Sequence, residues 1–200
     1  MWVVKIGGSL AKDRLLADWL RQLNDLGGGR VVIVPGGGGY TDEARRAQQV
    51  WQFDDVAAHN MAVLGMGQFA FMLHGLCPDL VLAADEHELE RAVRSGRVGL
   101  WMPLQLLRRE ADELTTWDVT SDSLALWLAN RLNAERAILV KSCPVPLTTP
   151  SDAEWGALAA DGIVDRRFPT LAAAAPYPIH LLERTEVARL RELLIGETVV

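Results

Sequence analysis

Two short apolar segments that each empty into glycine constrain this chain most. The first reads Val3-Val4-Lys5-Ile6-Gly7-Gly8-Ser9, and the second reads Val31-Val32-Ile33-Val34-Pro35 before Gly36, Gly37, Gly38 and Gly39. Glycine reaches positive φ at no steric cost. Successive N–H groups in such a turn converge on an oxyanion, which the positive end of a following helix also favours. Two such turns side by side suit two phosphate-bearing molecules. Lys5 stands where the first strand ends, and lysine is a compact charge on a flexible stem that can follow a moving phosphoryl group.

Beyond the first turn, Leu16, Trp19, Leu20, Leu23 and Leu26 recur at helical spacing, with Ser9 as the candidate cap and Gly27-Gly28-Gly29 as the stop. The order then repeats. A strand over 31–35 gives way to the glycines and to Thr41-Asp42-Glu43-Ala44-Arg45-Arg46, which opens like a capped helix. Residues 55–76 are nearly continuous helix former and apolar on more than one side, which predicts a central buried helix. Strands are expected over 80–84 and 98–102, on either side of a charged helix over 86–94. This alternation predicts an α/β fold, a three-layer α/β/α sandwich around a mainly parallel sheet.

A second informative block runs Trp117-Asp118-Val119-Thr120-Ser121-Asp122-Ser123-Leu124. Leu124, Trp127, Leu128 and Leu132 share one helical face, so Thr120 or Ser121 is the cap and Asp122 lies in the first turn. A strand over 137–141 then ends in Lys141, with Ser142 after it. Further on come a loop with Pro144, Pro146 and Pro150, a possible capping box at Ser151 and Glu154, a helix over 171–175, a strand over 179–182 and a helix over 185–194. Met61, Met66 and Met72 fall at helical spacing and suit a core or a subunit interface.

Composition excludes several function classes. A net charge of −6 with Lys and Arg scattered along the chain argues against a nucleic-acid partner. No run reaches the roughly 18 apolar residues of a membrane helix, and the amino terminus has no secretory pattern, so no membrane partner and a cytoplasmic location are expected. Cys77 and Cys143 are too few for a disulfide framework and suit reduced thiols. The pattern G-x-x-x-x-G-K-[ST] is absent, and the dinucleotide fingerprint fails because position 41 is Thr41. His74 and Cys77 have ligand-like spacing but no second pair nearby, so no metal site is expected. No Gly-x-Ser-x-Gly supports a serine nucleophile.

On these residues the chain resembles the amino acid kinase superfamily. Lys5-Ile6-Gly7-Gly8-Ser9 is similar to its opening motif, Pro35-Gly36-Gly37-Gly38 to its second glycine loop, and Thr120-Ser121-Asp122-Ser123-Leu124-Ala125 to its Asp-bearing helix start. Residues 138–142 resemble its nucleotide-side strand. Gly162-Ile163-Val164-Asp165, with Pro178-Ile179 and residues 190–197, is similar to the carboxyl end of uridylate kinases. Gly39-Tyr40-Thr41-Asp42 and Ala58-His59-Asn60-Met61-Ala62 look like a compact branch that contains an archaeal kinase of methanofuran biosynthesis, which phosphorylates the phosphate of an aminomethylfuran-methyl phosphate.

The resemblance implies a single domain over 1–200, with an acceptor-binding half to about 115 and a nucleotide-binding half from about 116. It also implies an ATP-dependent kinase that uses Mg²⁺ and acts on a small phosphorylated substrate, assembled as a homodimer or larger. Lys5 and Asp122 take the catalytic roles, Asp122 positioning Lys5 by an ion pair. Gly7, Gly8, Ser9, Lys141, Ser142 and Asp165 are expected to contact ATP. Gly36, Gly37, Gly38, Asp42, Arg45, His59 and Asn60 are expected to contact the acceptor. The superfamily's second lysine, in a Gly-Gly-Met-x-x-Lys segment, has no counterpart in Asp161-Gly162-Ile163-Val164-Asp165-Arg166-Arg167, which leaves Lys141, Arg166 or Arg167 to replace it. Two alternatives stay open: a carboxylate acceptor, or a storage or regulatory member that binds ATP or an oxyanion without turnover.

Overall fold

The apolar segments ahead of each turn are buried on both faces, the pattern of a parallel sheet covered by helices on either side. A computed structural model describes residues 1–196, so Glu197, at the end of the carboxyl-terminal resemblance, lies outside the described residues. Among the described residues six strands alternate with eight α-helices: β1 (Trp2–Ile6), α1 (Leu16–Gly27), β2 (Val31–Pro35), α2 (Gly38–Trp51), α3 (Asp55–Leu76), β3 (Val81–Ala83), α4 (Glu86–Arg94), β4 (Gly99–Trp101), α5 (Ser121–Arg131), β5 (Arg136–Lys141), α6 (Asp152–Ala160), α7 (Phe168–Ala173), β6 (Ile179–Glu183) and α8 (Val187–Ile195). All strand pairs are parallel, in the order β3-β4-β2-β1-β5-β6. The chain builds outward from β1 on one side as far as β3 and only with β5 crosses to the other. Strand order therefore reverses between β1 and β5, the position in open α/β sheets where ligands bind beyond the carboxyl ends of the strands.

Period-two alternation divides the core. Val3, Val32, Val34, Ala137 and Leu139 face one side, with Leu89 of α4, Leu124 and Leu128 of α5, Trp155 of α6 and Phe168 of α7. Val4, Ile6, Ile33, Ile138 and Val140 face the other, with Leu16, Trp19 and Leu20 of α1, Phe69 and Leu73 of α3, and Leu190 of α8. Lys5 pairs in register with Leu139, and Lys141 lies two residues beyond Leu139 on the same strand. Both lysines therefore project from the face that α5 covers.

Several local expectations change. Ser9 does not cap α1, whose N-terminus follows a short 3₁₀ turn over Gly8–Lys12 and has Leu15 at the cap position without a side-chain bond. The second glycine loop is not a separate turn before a helix capped at Thr41, because α2 already begins at Gly38. Helix α7 starts three residues earlier than expected, with proline in its first turn, where a missing N–H costs nothing. Thr120 is the cap of α5, and the Glu154 carboxylate accepts from both the N–H and the hydroxyl of Ser151.

Helix α3 matches its expected span, but its burial is partial. Val63, Met66, Phe69 and Leu73 are buried, whereas Met61, Leu64, Phe71 and Leu76 are exposed. At 22 residues it is long and apolar enough to cross a membrane by length and composition, although Asp55, His59, Asn60, Gln68 and His74 interrupt its apolar run. Its buried half packs into the sheet core. Cys77 and Cys143 are free thiols.

Candidate active site

Asp122 enters the site because Thr120 ends its extended segment and caps α5, which puts the carboxylate in the helix's first turn, beneath the ends of β1 and β5. The Lys5 Nζ lies 2.8 Å from Asp122 Oδ1, and the Lys141 Nζ lies 2.6 Å from Oδ2. All three side chains are buried. Burial alone would push the Asp122 carboxyl up, but the two ammonium groups outweigh it and hold the group below the usual carboxylate range. Burial lowers the Lys5 amine further than Asp122 can raise it, and Lys141 adds to the lowering. Lys141 donates a hydrogen bond to Asp122, whereas the Lys5 contact is an ion pair without hydrogen-bond alignment to Oδ1. The arrangement is one carboxylate holding two cations at the strand-order reversal.

Asp165 supports this entrance from the other side. Its carboxylate accepts from the Thr120 N–H at 2.8 Å, the Thr120 hydroxyl at 2.9 Å, the Ser123 N–H at 3.0 Å, the Ser123 hydroxyl and the Phe168 N–H at 2.9 Å. Five donors fill both oxygens. Asp165 lines the large cleft described below while its two oxygens already accept these five hydrogen bonds.

The glycine turns meet each other. A Cβ on Gly8 would lie 2.1 Å from the Gly38 nitrogen, and one on Gly36 would lie 2.3 Å from the Gly8 nitrogen, so only bare backbone fits where the two turns cross. The Gly36 N–H donates to the Ile6 carbonyl at 2.8 Å, which removes it from the expected acceptor contacts. Gly7 runs beside the ammonium of Lys5, 3.5 Å from where its Cβ would stand. The Ser9 hydroxyl donates to the Ser142 hydroxyl at 2.9 Å, which joins the turns after β1 and β5.

Two cavities flank the cluster. A cleft of about 870 Å³ is lined by Asp122, Lys141, Asp118, Gly162, Asp165 and Arg166, among others. A smaller cavity of about 180 Å³ is lined by Gly8, Gly37, Gly38, Asp42 and His59, with an apolar wall of Ala62, Val63, Met66 and Leu124. Lys5, Gly7, Ser9 and Ser142 line neither. His59 Nε2 is 2.8 Å from the Leu106 carbonyl, so that nitrogen carries the proton. Asn60 does not reach the cavity. Its amide nitrogen donates to the Arg108 carbonyl and its oxygen accepts from the Arg108 N–H, both at 2.8 Å, so the side chain is spent on pinning a loop.

Arg45, Trp117 and Thr120 line both cavities. Sequence reasoning missed Trp117 as a site residue, although it sits five positions before Asp122 in the motif block. Of the candidates to replace the second lysine, Lys141 shares the Asp122 carboxylate, Arg166 lines the cleft and pairs with Asp118 at 3.5 Å, and Arg167 does not line it. Among the described residues no group of three or more His, Cys, Asp or Glu side chains could hold a metal ion.

Comparison with known proteins supplies context. Residues 1–145 match the sequence profile of the amino acid kinase family. The chain is 26% identical over 145 residues to the [5-(aminomethyl)furan-3-yl]methyl phosphate kinase of Methanocaldococcus jannaschii, an alignment that covers 70% of this chain and 64% of that kinase. The chain thus spans less than two thirds of the length of that relative. Its fold is similar to uridylate kinase from Archaeoglobus fulgidus, with a TM-score of 0.72 and 14% identity over 98% of this chain and 96% of that one. It is also similar to UMP kinase from Bacillus anthracis, with a TM-score of 0.68 and 18% identity over 98% and 91% of the two chains.

Proposed function

Because this chain belongs to the amino acid kinase family, we propose that it is an ATP-dependent phosphotransferase that moves the γ-phosphoryl group of ATP onto the phosphate of a small phosphorylated acceptor. The observation that carries this is Asp122 held between Lys5 and Lys141 where strand order reverses. Phosphoryl transfer needs alignment and charge stabilisation, not a covalent nucleophile. Two ammonium groups fixed by one carboxylate are ready to meet negative charge on the transferring oxygens, with no reorganisation at the moment of reaction. Lys141 takes the place of the superfamily's second lysine.

An oxygen of the acceptor phosphate donates a lone pair to form a new P–O bond at the γ-phosphorus. The bond from that phosphorus to the β–γ bridging oxygen breaks, and its electron pair leaves with ADP. A phosphate monoester is largely dianionic at neutral pH, with a second pKa near about 6, so no proton has to be removed. That suits a site in which Asp122 is held ionised by two lysines and Asp165 is saturated by five donors. The large cleft takes ATP, with Lys141 toward its phosphates and Gly7, Gly8, Ser9 and Ser142 at the adjoining strand ends. Magnesium prefers carboxylate and water oxygens. Asp122 and Asp165 are both committed and Asp118 pairs with Arg166, so the residues present do not make a protein carboxylate site for it, and phosphate and water oxygens would be its ligands.

The small cavity supports an acceptor such as [5-(aminomethyl)furan-3-yl]methyl phosphate, the compound in the relative's name. Ala62, Val63 and Met66 offer a flat ring an apolar wall, Asp42 suits an amine, and Arg45 with the N–H groups of Gly37 and Gly38 suits a phosphate. Such an acceptor belongs to methanofuran-type C1-carrier synthesis. A cytoplasmic setting and self-association through the exposed apolar side of α3 are part of the same proposal.

The test is ADP release from ATP on adding phosphorylated furans, pterins, isoprenoids and nucleotides. One acceptor is expected to stimulate release strongly. Lys5→Ala should lose about 10²-fold in turnover, or about 3 kcal/mol of barrier stabilisation, while remaining folded because Lys141 still pairs Asp122. A Lys5→Ala variant keeping more than about a third of wild-type turnover contradicts the role.

A further inference from the structure

Arg45 differs from its neighbour Arg46, which pairs with Glu43 at 2.6 Å. Among the described residues Arg45 has no carboxylate within ion-pair distance; its guanidinium instead lies over the Trp117 ring, 4.4 Å from the centroid. Trp117 is itself anchored. Its indole N–H donates to Gln48 Oε1 at 2.6 Å, and the Gln48 amide nitrogen donates to Asp55 Oδ1 at 2.8 Å and to the Phe53 carbonyl at 3.2 Å. A chain of fixed contacts thus runs from the start of α3 through α2 to the ring, and from the ring to a guanidinium whose N–H groups are not consumed by a carboxylate. Arg45 and Trp117 are also lining residues common to the 180 Å³ cavity and the 870 Å³ cleft.

We infer that Trp117 is a positioning residue that holds Arg45 on the boundary between the two cavities, so that one guanidinium binds anionic oxygens arriving from both sides. A planar guanidinium with five donors can serve two phosphoryl groups at once, and stacking on an aromatic face orients it while leaving its edge free. The ligand class is two adjacent phosphoryl groups, the acceptor's phosphate and the phosphoryl being transferred. The inference rests on the proposed kinase function for the identity of those groups, but not for the anion site itself.

Inorganic pyrophosphate is the probe, measured by calorimetry on the intact chain beside ADP-release kinetics. Trp117→Leu is expected to weaken pyrophosphate binding about tenfold and to raise the acceptor KM by a similar factor, with the KM for ATP within about twofold of wild type. Trp117→Phe, which keeps an aromatic face without the indole N–H, should restore binding to within about threefold. A purely structural role would not divide the two KM values or be rescued in this way. If Trp117→Leu does not fold, Gln48→Leu, which frees the indole anchor, is expected to weaken pyrophosphate binding about threefold. Wild-type affinity in whichever of these two variants is folded, or no pyrophosphate binding by the wild-type protein at millimolar concentration, overturns the inference. A Trp117-dependent pyrophosphate site without ADP release would instead sink the kinase function and leave this site standing.

Discussion

At Asp122 two large effects oppose each other. Burial disfavours a charged carboxylate, and the lysines 2.8 and 2.6 Å away favour it more. Such a cluster is costly to assemble, and removing Asp122 would leave two buried ammonium groups uncompensated, whereas removing one lysine leaves a balanced pair. Asp165 has a different task, since its five hydrogen bonds tie Thr120, Ser123 and Phe168 together behind Asp122. Asp165→Asn replaces one acceptor oxygen with a donor and should cost about 2 kcal/mol, a Tm drop of roughly 4–8 °C, while the KM for ATP changes less than about twofold. A large rise in that KM with an unchanged Tm would mark Asp165 as a nucleotide contact. Lys5 and Asp122 were legible in the sequence because each sits in a motif with a fixed place on its element. The partners of Asp165 and Asn60 were not legible, because they are mostly groups distant in sequence whose approach no local pattern records. Trp117 was passed over because a tryptophan in a sequence looks like core until its neighbours are known.

At the scale of elements, the glycine turns gain their meaning from each other. The sequence places the two turns side by side, and because β1 and β2 are adjacent and in register the turns beyond Ile6 and Pro35 are forced into contact. Gly8 and Gly36 are needed for that crossing, Gly37 and Gly38 reach the small cavity, and Gly39 stands in open space. Gly8→Ala should therefore destabilise by more than about 3 kcal/mol, since its Cβ would lie 2.1 Å from the backbone nitrogen of Gly38. Gly39→Ala, inside α2, should be neutral or stabilising by up to about 1 kcal/mol. Chemical denaturation of both variants checks the pair, and equal stabilities would mean that the turns do not cross as described. The spans of α3 and α4 were legible from periodicity and caps. The start of α2 was not, because glycine at a helix entrance reads as loop until the helix is seen to begin inside it.

At the scale of the molecule, the reversal of strand order between β1 and β5 gathers Lys5, Lys141 and Asp122 from segments far apart in sequence. Alternation of strand and helix announced the layers, but strand order is set by long-range pairing and had to be observed. The amino-terminal side of the sheet has its own titration. His180 on β6 is half-buried, and burial first, then the nearby charges of Arg136 and Arg189, push its pKa from 6.5 down to about 4. The unfolded chain takes up that proton near 6.5 and the folded one resists until about 4, so stability should fall as pH drops through that window. His180→Gln should flatten the fall in Tm between pH 7 and 4.5, and an undiminished fall would assign it to other groups. The most direct test of the whole account is where the phosphoryl group lands. In ³¹P NMR of the protein with ATP and [5-(aminomethyl)furan-3-yl]methyl phosphate, the monoester signal should give way to a pair of coupled diphosphate resonances as ADP accumulates. A monoester signal that persists unchanged while ATP remains intact would contradict transfer to this acceptor's phosphate.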